Sequence, residues 1–273
     1  MGKLLDIQSH YENHTASSFE SAYFYSHGDY VRHVRNVVQS GLVLPEKSDR
    51  LLLDVGGGTG NFTRMLVDDC DKLRAVVVEP FLEKSPECDD DKLQFVKASA
   101  ESFTTDSNNK GCWWRKSYHQ VLLKEVIHHI DPDARARLYE SIRCDLSKAS
   151  AKENSEYPQI LIVTRPQAAI DYPFWPEAKK VWMENRPSID ELKQELSDAG
   201  YHVSHKIEKY DCKVALKQWQ QMVKDRFWSM MSHFTDDELE EGCRRLMTDE
   251  KSRIDEDGYI HFEDRLVLIS AHL

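Results

Sequence analysis

The stretch Leu51-Leu52-Leu53-Asp54-Val55-Gly56-Gly57-Gly58-Thr59-Gly60 constrains this chain more than any other. An unbroken aliphatic run of this kind, with no apolar/polar alternation, reads as a strand of a parallel sheet, buried on both faces. After the glycines, Asn61 to Val67 carry apolar side chains at 62, 65, 66 and 67, a spacing that predicts a helix burying that stripe. Glycine suits positions where the backbone takes positive φ or where a ligand must approach without meeting a Cβ. Strand, turn and helix thus present bare backbone above the strand ends, where open α/β sheets bind ligands.

Spacing separates the ligands such a loop serves. A dinucleotide fingerprint needs glycine at i, i+2 and i+5, and here the last position falls on Asn61 or Thr63. A phosphate-binding P-loop closes on Gly-Lys-Ser/Thr, and no lysine follows. What remains is acid-x-Gly-x-Gly-x-Gly, from Asp54 to Gly60. That pattern resembles motif I of the class I S-adenosylmethionine (SAM)-dependent methyltransferases.

Further strands follow at the intervals of an α/β fold. Leu73–Val78 ends in Glu79-Pro80, Leu93–Ala98 is followed by Ser99-Ala100, and Gln120–Leu123 by Lys124-Glu125. Ile160–Val163, His202–Lys209 and Leu266–Ser270 complete seven. Between them, Ser188 with Glu191 opens a capped helix that ends at Gly200. Tyr30–Val38 has helical periodicity with Gly41 as its stop, and Asp131-Pro132 starts another helix. Residues 213–249 carry Trp219, Met222, Val223, Phe227, Met230 and Met231 at helical spacing. Thr235-Asp-Asp-Glu238 then opens the next helix. Polar stretches at 104–117 and 147–158 read as exposed loops. The expected architecture is α/β: a Rossmann-like, doubly wound seven-stranded sheet with its last strand antiparallel. It is a single domain over 1–273, with a helical cap (1–45), a core (46–212), a helical insertion (213–258) and a closing strand (259–273).

Glu79 lies 19 residues beyond Gly60, where an acid at the end of the second strand meets a ribose diol. The fourth strand and its sequel, Tyr118 to Ile130 with the pair His128-His129, resemble the small-molecule branch often called methyltransferase type 11, which includes ubiquinone-biosynthesis-like enzymes. In that family an Asp is usual where His119 stands, and an acid where Ser99 stands. The resemblance covers roughly residues 48–210 and 262–273. It implies SAM as cofactor, S-adenosylhomocysteine as product, and a cofactor site made of Asp54, Gly56, Gly57, Gly58, Gly60, Glu79, Pro80, Ser99, Ala100, Leu123, Lys124 and Glu125. Tyr11 resembles a tyrosine that closes over the cofactor in some relatives. Ser99 reads equally as a plain helix N-cap.

His128 or His129 is placed to act as a general base, the alternative being that both pack the turn after the strand. Tyr25, Trp175, Arg165 and Arg226 are candidates for the acceptor pocket. The arginines suit an acidic acceptor through bidentate pairs, although solvated arginines and core aromatics are the ordinary uses of such residues. The function expected is methyl transfer to O, N or S of a soluble small molecule. A protein-modifying methyltransferase and a catalytically inactive SAM-binding subunit are the alternatives, and a nicotinamide dehydrogenase is disfavoured by the glycine spacing.

Composition narrows the setting. In 273 residues, 36 Lys and Arg stand against 47 Asp and Glu, a net charge of −11, which argues against nucleic-acid or membrane-surface partners. Six cysteines occur with no Cys-x-x-Cys pair, so reduced thiols are expected and no metal site. No apolar run of spanning length and no signal-like N-terminal block is present. The expected location is the cytoplasm; oligomeric state leaves no mark in the sequence.

Overall fold

The computed structural model describes residues 28–44, 49–82, 91–105, 118–149 and 157–273. In chain order the elements are α1 (Gly28–Leu42), β1 (Arg50–Val55), α2 (Asn61–Asp69), β2 (Leu73–Val78), β3 (Leu93–Val96), α3 (Ala100–Thr105), β4 (Gln120–Lys124), α4 (Pro132–Ala149), β5 (Ile160–Thr164), α5 (Pro176–Glu184), α6 (Ile189–Asp198), β6 (His202–Ala215), α7 (Leu216–Lys224), α8 (Asp236–Asp249) and β7 (Tyr259–His272). Short 3-10 turns cover Ile127–His129, Ser229–His233 and Lys251–Arg253.

The seven strands form one sheet in the order β3-β2-β1-β4-β5-β7-β6. The pairs β1–β2, β1–β4, β2–β3 and β4–β5 are parallel, and β7 runs antiparallel to β5. The expected sheet, with its reversed last strand, is the one observed. Its central strands are buried at nearly every position, β1 and β5 without exception, as the aliphatic runs require.

The chain divides into two compact units. One comprises Arg35–Thr164, Ile189–Ile207 and Val267–Leu273. On one face of its sheet, Leu51, Leu53, Val55, Val76, Val121, Leu123, Ile160 and Ile162 pack with Leu138, Ile142 and Leu146 of α4 and Leu192 and Leu196 of α6. Arg135 of α4, 3% exposed, ties these helices by bonding Glu195 at 2.6 and 2.9 Å and Glu191 at 2.8 Å. Helix α6 ends as its sequence predicts: Gly200 turns at φ 90° and the Tyr201 N–H donates to Leu196 O.

On the other face the expected stop at Gly41 is corrected. The helix runs through Gly41, whose absent side chain lets α1 lie close to the sheet, since a Cβ there would meet Leu268 at 2.9 Å and Leu161 at 3.0 Å. The chain leaves the helix instead at Val43, with φ 49°. Helix α2 buries Thr63, Leu66 and Val67, so its inner stripe is rotated from the apolar one expected, and Phe62 and Met65 are half-buried.

The other unit takes in Arg165–Ser188, Glu208–Leu266 and, among the described residues before Arg35, the start of α1. The sequence reading assigned 165–188 to the core; in the structure that segment clusters with the helical insertion. An aromatic core of Tyr172, Phe174, Trp182, Trp219, Trp228 and Phe262 fills it, with ring centroids 4.7–6.3 Å apart. Helix α8 opens at Thr235 as expected, and does so with a capping box: the Thr235 hydroxyl accepts from the Glu238 N–H, and the Glu238 carboxylate accepts from the Thr235 N–H. Strands β6 and β7 are each 14 residues long; the runs His202–Lys209 and Leu266–Ser270 lie within them, and β7 fills the closing segment expected at 259–273. The outer half of β7 alternates strictly, with Ile260, Phe262, Asp264 and Leu266 buried. A buried aspartate at an inward position disguised that pattern.

Candidate functional site

The glycine loop joins β1 to α2 at the carboxyl ends of the central strands. Two glycines there answer to different demands. A Cβ on Gly57 would lie 2.4 Å from Asp54 Oδ2, so this position exists to let the backbone close over the acid. Gly58 has φ 58° and nothing within 4 Å of the place its Cβ would occupy. Here the open direction faces outward, and the left-handed backbone is one that L side chains rarely adopt.

Asp54 is the loop's foundation. It is 3% exposed and its Oδ2 accepts a short hydrogen bond from the Thr63 hydroxyl, joining strand to helix beneath the glycines. Burial pushes its carboxyl up to about 6, against the opposing effects of the Thr63 bond and of Lys124. Its side chain braces the loop from below.

Glu79, just past β2, meets the loop from the side. Its Oε2 accepts from the Gly58 N–H at 3.0 Å and its Oε1 from the Phe81 N–H at 3.1 Å. Burial raises its carboxyl above the ordinary range, and the two backbone bonds offset part of that rise. Each oxygen retains a lone pair for a further donor. Pro80 follows, half-buried.

Ser99 takes the cap role that was one of its two readings. Its Oγ accepts from the Ser102 N–H at 3.1 Å, while the Ser102 hydroxyl accepts from the Ser99 N–H at 3.0 Å, a reciprocal cap on α3. Ala100, 8% exposed, is the first residue of that helix, and its N–H has no carbonyl one turn back to bond.

At the end of β4, Leu123 is fully buried in the core. Lys124 sends its ammonium to 4.4 Å from the centroid of Phe62, in the first turn of α2. Glu125 has φ 57°, a conformation that costs a non-glycine residue roughly 1 kcal/mol or more and that clusters at functional positions. His128 and His129 stand on the following 3-10 turn with ring centroids 4.0 Å apart, both half-buried. Asp131 caps α4, its Oδ1 accepting from the Asp133 N–H at 2.9 Å.

The structure therefore brings together Asp54, the glycines, Glu79 and Lys124. The expected acceptor residues fare otherwise. Tyr11 and Tyr25 lie outside the described residues. Trp175 is 4% exposed, packed 5.2 Å from Phe234 and against Gly242, so it is core and not an open pocket wall. Arg165 is corrected as an anion receptor: its Nε and Nη2 already grip the buried Asp264 at 3.1 and 3.0 Å. Arg226 is similarly engaged, donating to Phe234 O at 3.0 Å and Asp236 Oδ1 at 2.7 Å. Sequence reasoning missed Thr63 and Phe62. A lone polar residue in register with Leu66 and Val67 was the one available sign of the first.

No helix among the described residues is long and apolar enough to cross a membrane, and none of their His, Cys, Asp or Glu side chains form a cluster of three fit to hold a metal ion. No protein-family model matches the chain, and no curated protein sequence matches it. Solved structures do. A phosphoethanolamine N-methyltransferase of Haemonchus contortus, solved with phosphomonomethylethanolamine and S-adenosylhomocysteine, superposes with a TM-score of 0.53 at 13% identity. That match covers 99% of this chain and 60% of the Haemonchus contortus enzyme, so the chain spans less than two thirds of it. A Bacillus halodurans C-125 protein, provisionally described as a methyltransferase, gives a TM-score of 0.50 at 12% identity, covering 87% of this chain and 97% of its own. The chain has the fold of the class I SAM-dependent methyltransferases.

Proposed function

We propose that this chain is a SAM-dependent methyltransferase acting in the cytoplasm on O, N or S of a soluble small molecule. One observation carries the reading: the outward-open Gly58 and the Glu79 carboxylate meet at the ends of adjacent strands, bonded to each other. A dinucleotide would ask more of the glycine spacing, and a nucleotide triphosphate would ask for a loop lysine. A nucleoside diol needs an acceptor carboxylate and a bare backbone, and both are present. The fold, shared with methyltransferases, supports the same conclusion.

When bound, SAM supplies an electrophilic methyl group on a sulfonium leaving group. Glu79 would accept from the two ribose hydroxyls, Gly58 would leave room for the sugar, and the first-turn amide of Ala100 would be available to the adenine ring. The Ser99 hydroxyl, committed to its cap, holds α3 in place. Orientation of the acceptor behind the methyl carbon supplies roughly 7–11 kcal/mol of the acceleration such a reaction needs. A strong base is therefore dispensable, and His128 or His129 serves where the acceptor carries a proton to be lost. The cap aromatics described are buried, which disfavours the inactive-subunit alternative, since that reading calls for an exposed aromatic docking patch.

The test is calorimetric titration with S-adenosylhomocysteine, with NAD as control. Micromolar binding of the first alone supports the reading; binding of NAD alone, or of neither, rejects it. A labelled-methyl assay on cell extract, split into protein and small-molecule fractions, then decides between a metabolite and a protein acceptor.

A further inference from the structure

Building on the methyltransferase reading, we infer that Asp54 is a specificity-determining residue, by which the glycine loop tells the sulfonium cofactor from its thioether product. The two ligands differ by one methyl group and one positive charge, and a carboxylate buried under the loop senses the charge. Two buried aspartates show what is unusual at this position. Asp264, 1% exposed, has four donors on its two oxygens. Asp54, 3% exposed, has one: Thr63 donates to Oδ2, and Oδ1 has no hydrogen-bond partner among the described residues. Buried polar atoms are ordinarily satisfied, and an acid with an orphaned oxygen is disfavoured as an ion.

Position gives this deficit a use. A Cβ on Gly57 would come within 2.4 Å of Asp54 Oδ2, which puts the Gly57 Cα within about 4 Å of it. One layer of backbone thus covers the acid, and a cation resting on that layer stands on the order of 7 Å away. At such a distance its attraction favours the ionised acid by roughly tenfold or more. The surroundings set the pH at which this matters. Burial raises the carboxyl to about 6, against the Thr63 bond from α2 and the Lys124 charge from β4, while Glu79, past β2, adds to the rise. Above that value the loop covers an anion and prefers the sulfonium. Below it Asp54 is neutral in the free protein. The cofactor then gains from the acid only as its proton leaves for solvent, and the product gains nothing from it.

The affinities of the intact chain for SAM and for S-adenosylhomocysteine are measured by calorimetry at a series of pH values from 5 to 7, with no acceptor present. In wild type the ratio of the two affinities should rise about tenfold from pH 5 to pH 7. In Asp54→Asn the ratio should be the same throughout. Thr63→Val, which removes the one donor to Asp54, should move the rise to higher pH, and it carries the test should Asp54→Asn fail to fold. A flat ratio in wild type overturns the inference. So does a rise that persists in Asp54→Asn, which would assign the effect to Glu79, or a rise that Thr63→Val leaves unmoved. If wild type binds neither ligand at pH 7, the methyltransferase reading itself fails.

Discussion

Replacing Asp264 by alanine should destabilise the protein by about 4 kcal/mol. The carboxylate is 1% exposed and accepts four hydrogen bonds. Arg165 Nε and Nη2 donate at 3.1 and 3.0 Å, the Tyr172 hydroxyl at 2.7 Å, and the Tyr30 hydroxyl through a short contact. Burial alone would raise this carboxyl, but the Arg165 charge and the hydrogen bonds bring it below the ordinary range. Removing the acid takes from Arg165, 8% exposed, both bonds of its buried ion pair, and breaking one side of such a pair costs roughly 3–5 kcal/mol. Two tyrosine hydroxyls lose an acceptor as well, and since all four groups form one network these costs do not add. Urea unfolding followed by tryptophan fluorescence reads the loss, because Trp175, Trp182, Trp219 and Trp228 all lie in the unit that holds the knot. The double variant Arg165→Met/Asp264→Leu removes both charges together and should recover most of the stability. Acid should mimic the single variant: a depressed carboxyl contributes above its unfolded pKa, and that contribution disappears as pH falls through the folded value. A loss below about 1 kcal/mol in Asp264→Ala, or a double variant no better than the single, would refute the reasoning.

Other perturbations separate the parts of the loop and its supports. Gly57→Ala drives a Cβ into Asp54 and should cost about 1–3 kcal/mol in urea unfolding. Gly58→Ala meets no atom and should cost only about 1 kcal/mol, yet should weaken S-adenosylhomocysteine binding by calorimetry far more than its stability loss suggests. Asp54, with a folded pKa of about 6 against an ordinary 3.8, keeps a proton between these values that the unfolded chain has released. Stability relative to Asp54→Asn should therefore fall by up to about 3 kcal/mol as pH rises from 4 to 6 and stay level above, as measured by unfolding at each pH. Thr235→Ala removes the hydroxyl of the α8 capping box and should lower the unfolding midpoint by the equivalent of about 1 kcal/mol.

What the sequence disclosed and what it hid follow one physical division. Elements whose residues act through their own kind or through near neighbours were legible: the aliphatic runs of β1, β2, β4 and β5, the glycine turn, and the helix starts at Thr235–Glu238 and Asp131-Pro132. Features decided by a partner far along the chain were not. Arg165 reads as a spare cation until Asp264, 99 positions away, closes on it. Asp264 in turn interrupts an otherwise clean alternation, so the apolar run that marks β7 begins only at Leu266. Gly41 has the composition of a helix stop, but its neighbours across the sheet, Leu161 and Leu268, make it a contact point instead. The same holds for α2, where Thr63 turns inward because Asp54 lies beneath it.

The cofactor flank of the fold and its acceptor side were therefore unequally readable. Binding a nucleoside uses backbone, a strand-end acid and fixed spacing, all of which a sequence records in order. An acceptor pocket is made by residues that remain unspent after folding, and only the structure reveals which are spent. Trp175 is used by the core, Arg165 by Asp264, and Arg226 by Asp236 and Phe234. The candidates that remain stand at the end of β4, where Lys124, Glu125 with its left-handed backbone, and the adjacent imidazoles of His128 and His129 follow one another within six residues. Strain at Glu125 is retained against a cost of about 1 kcal/mol, and backbone of this kind clusters at functional positions.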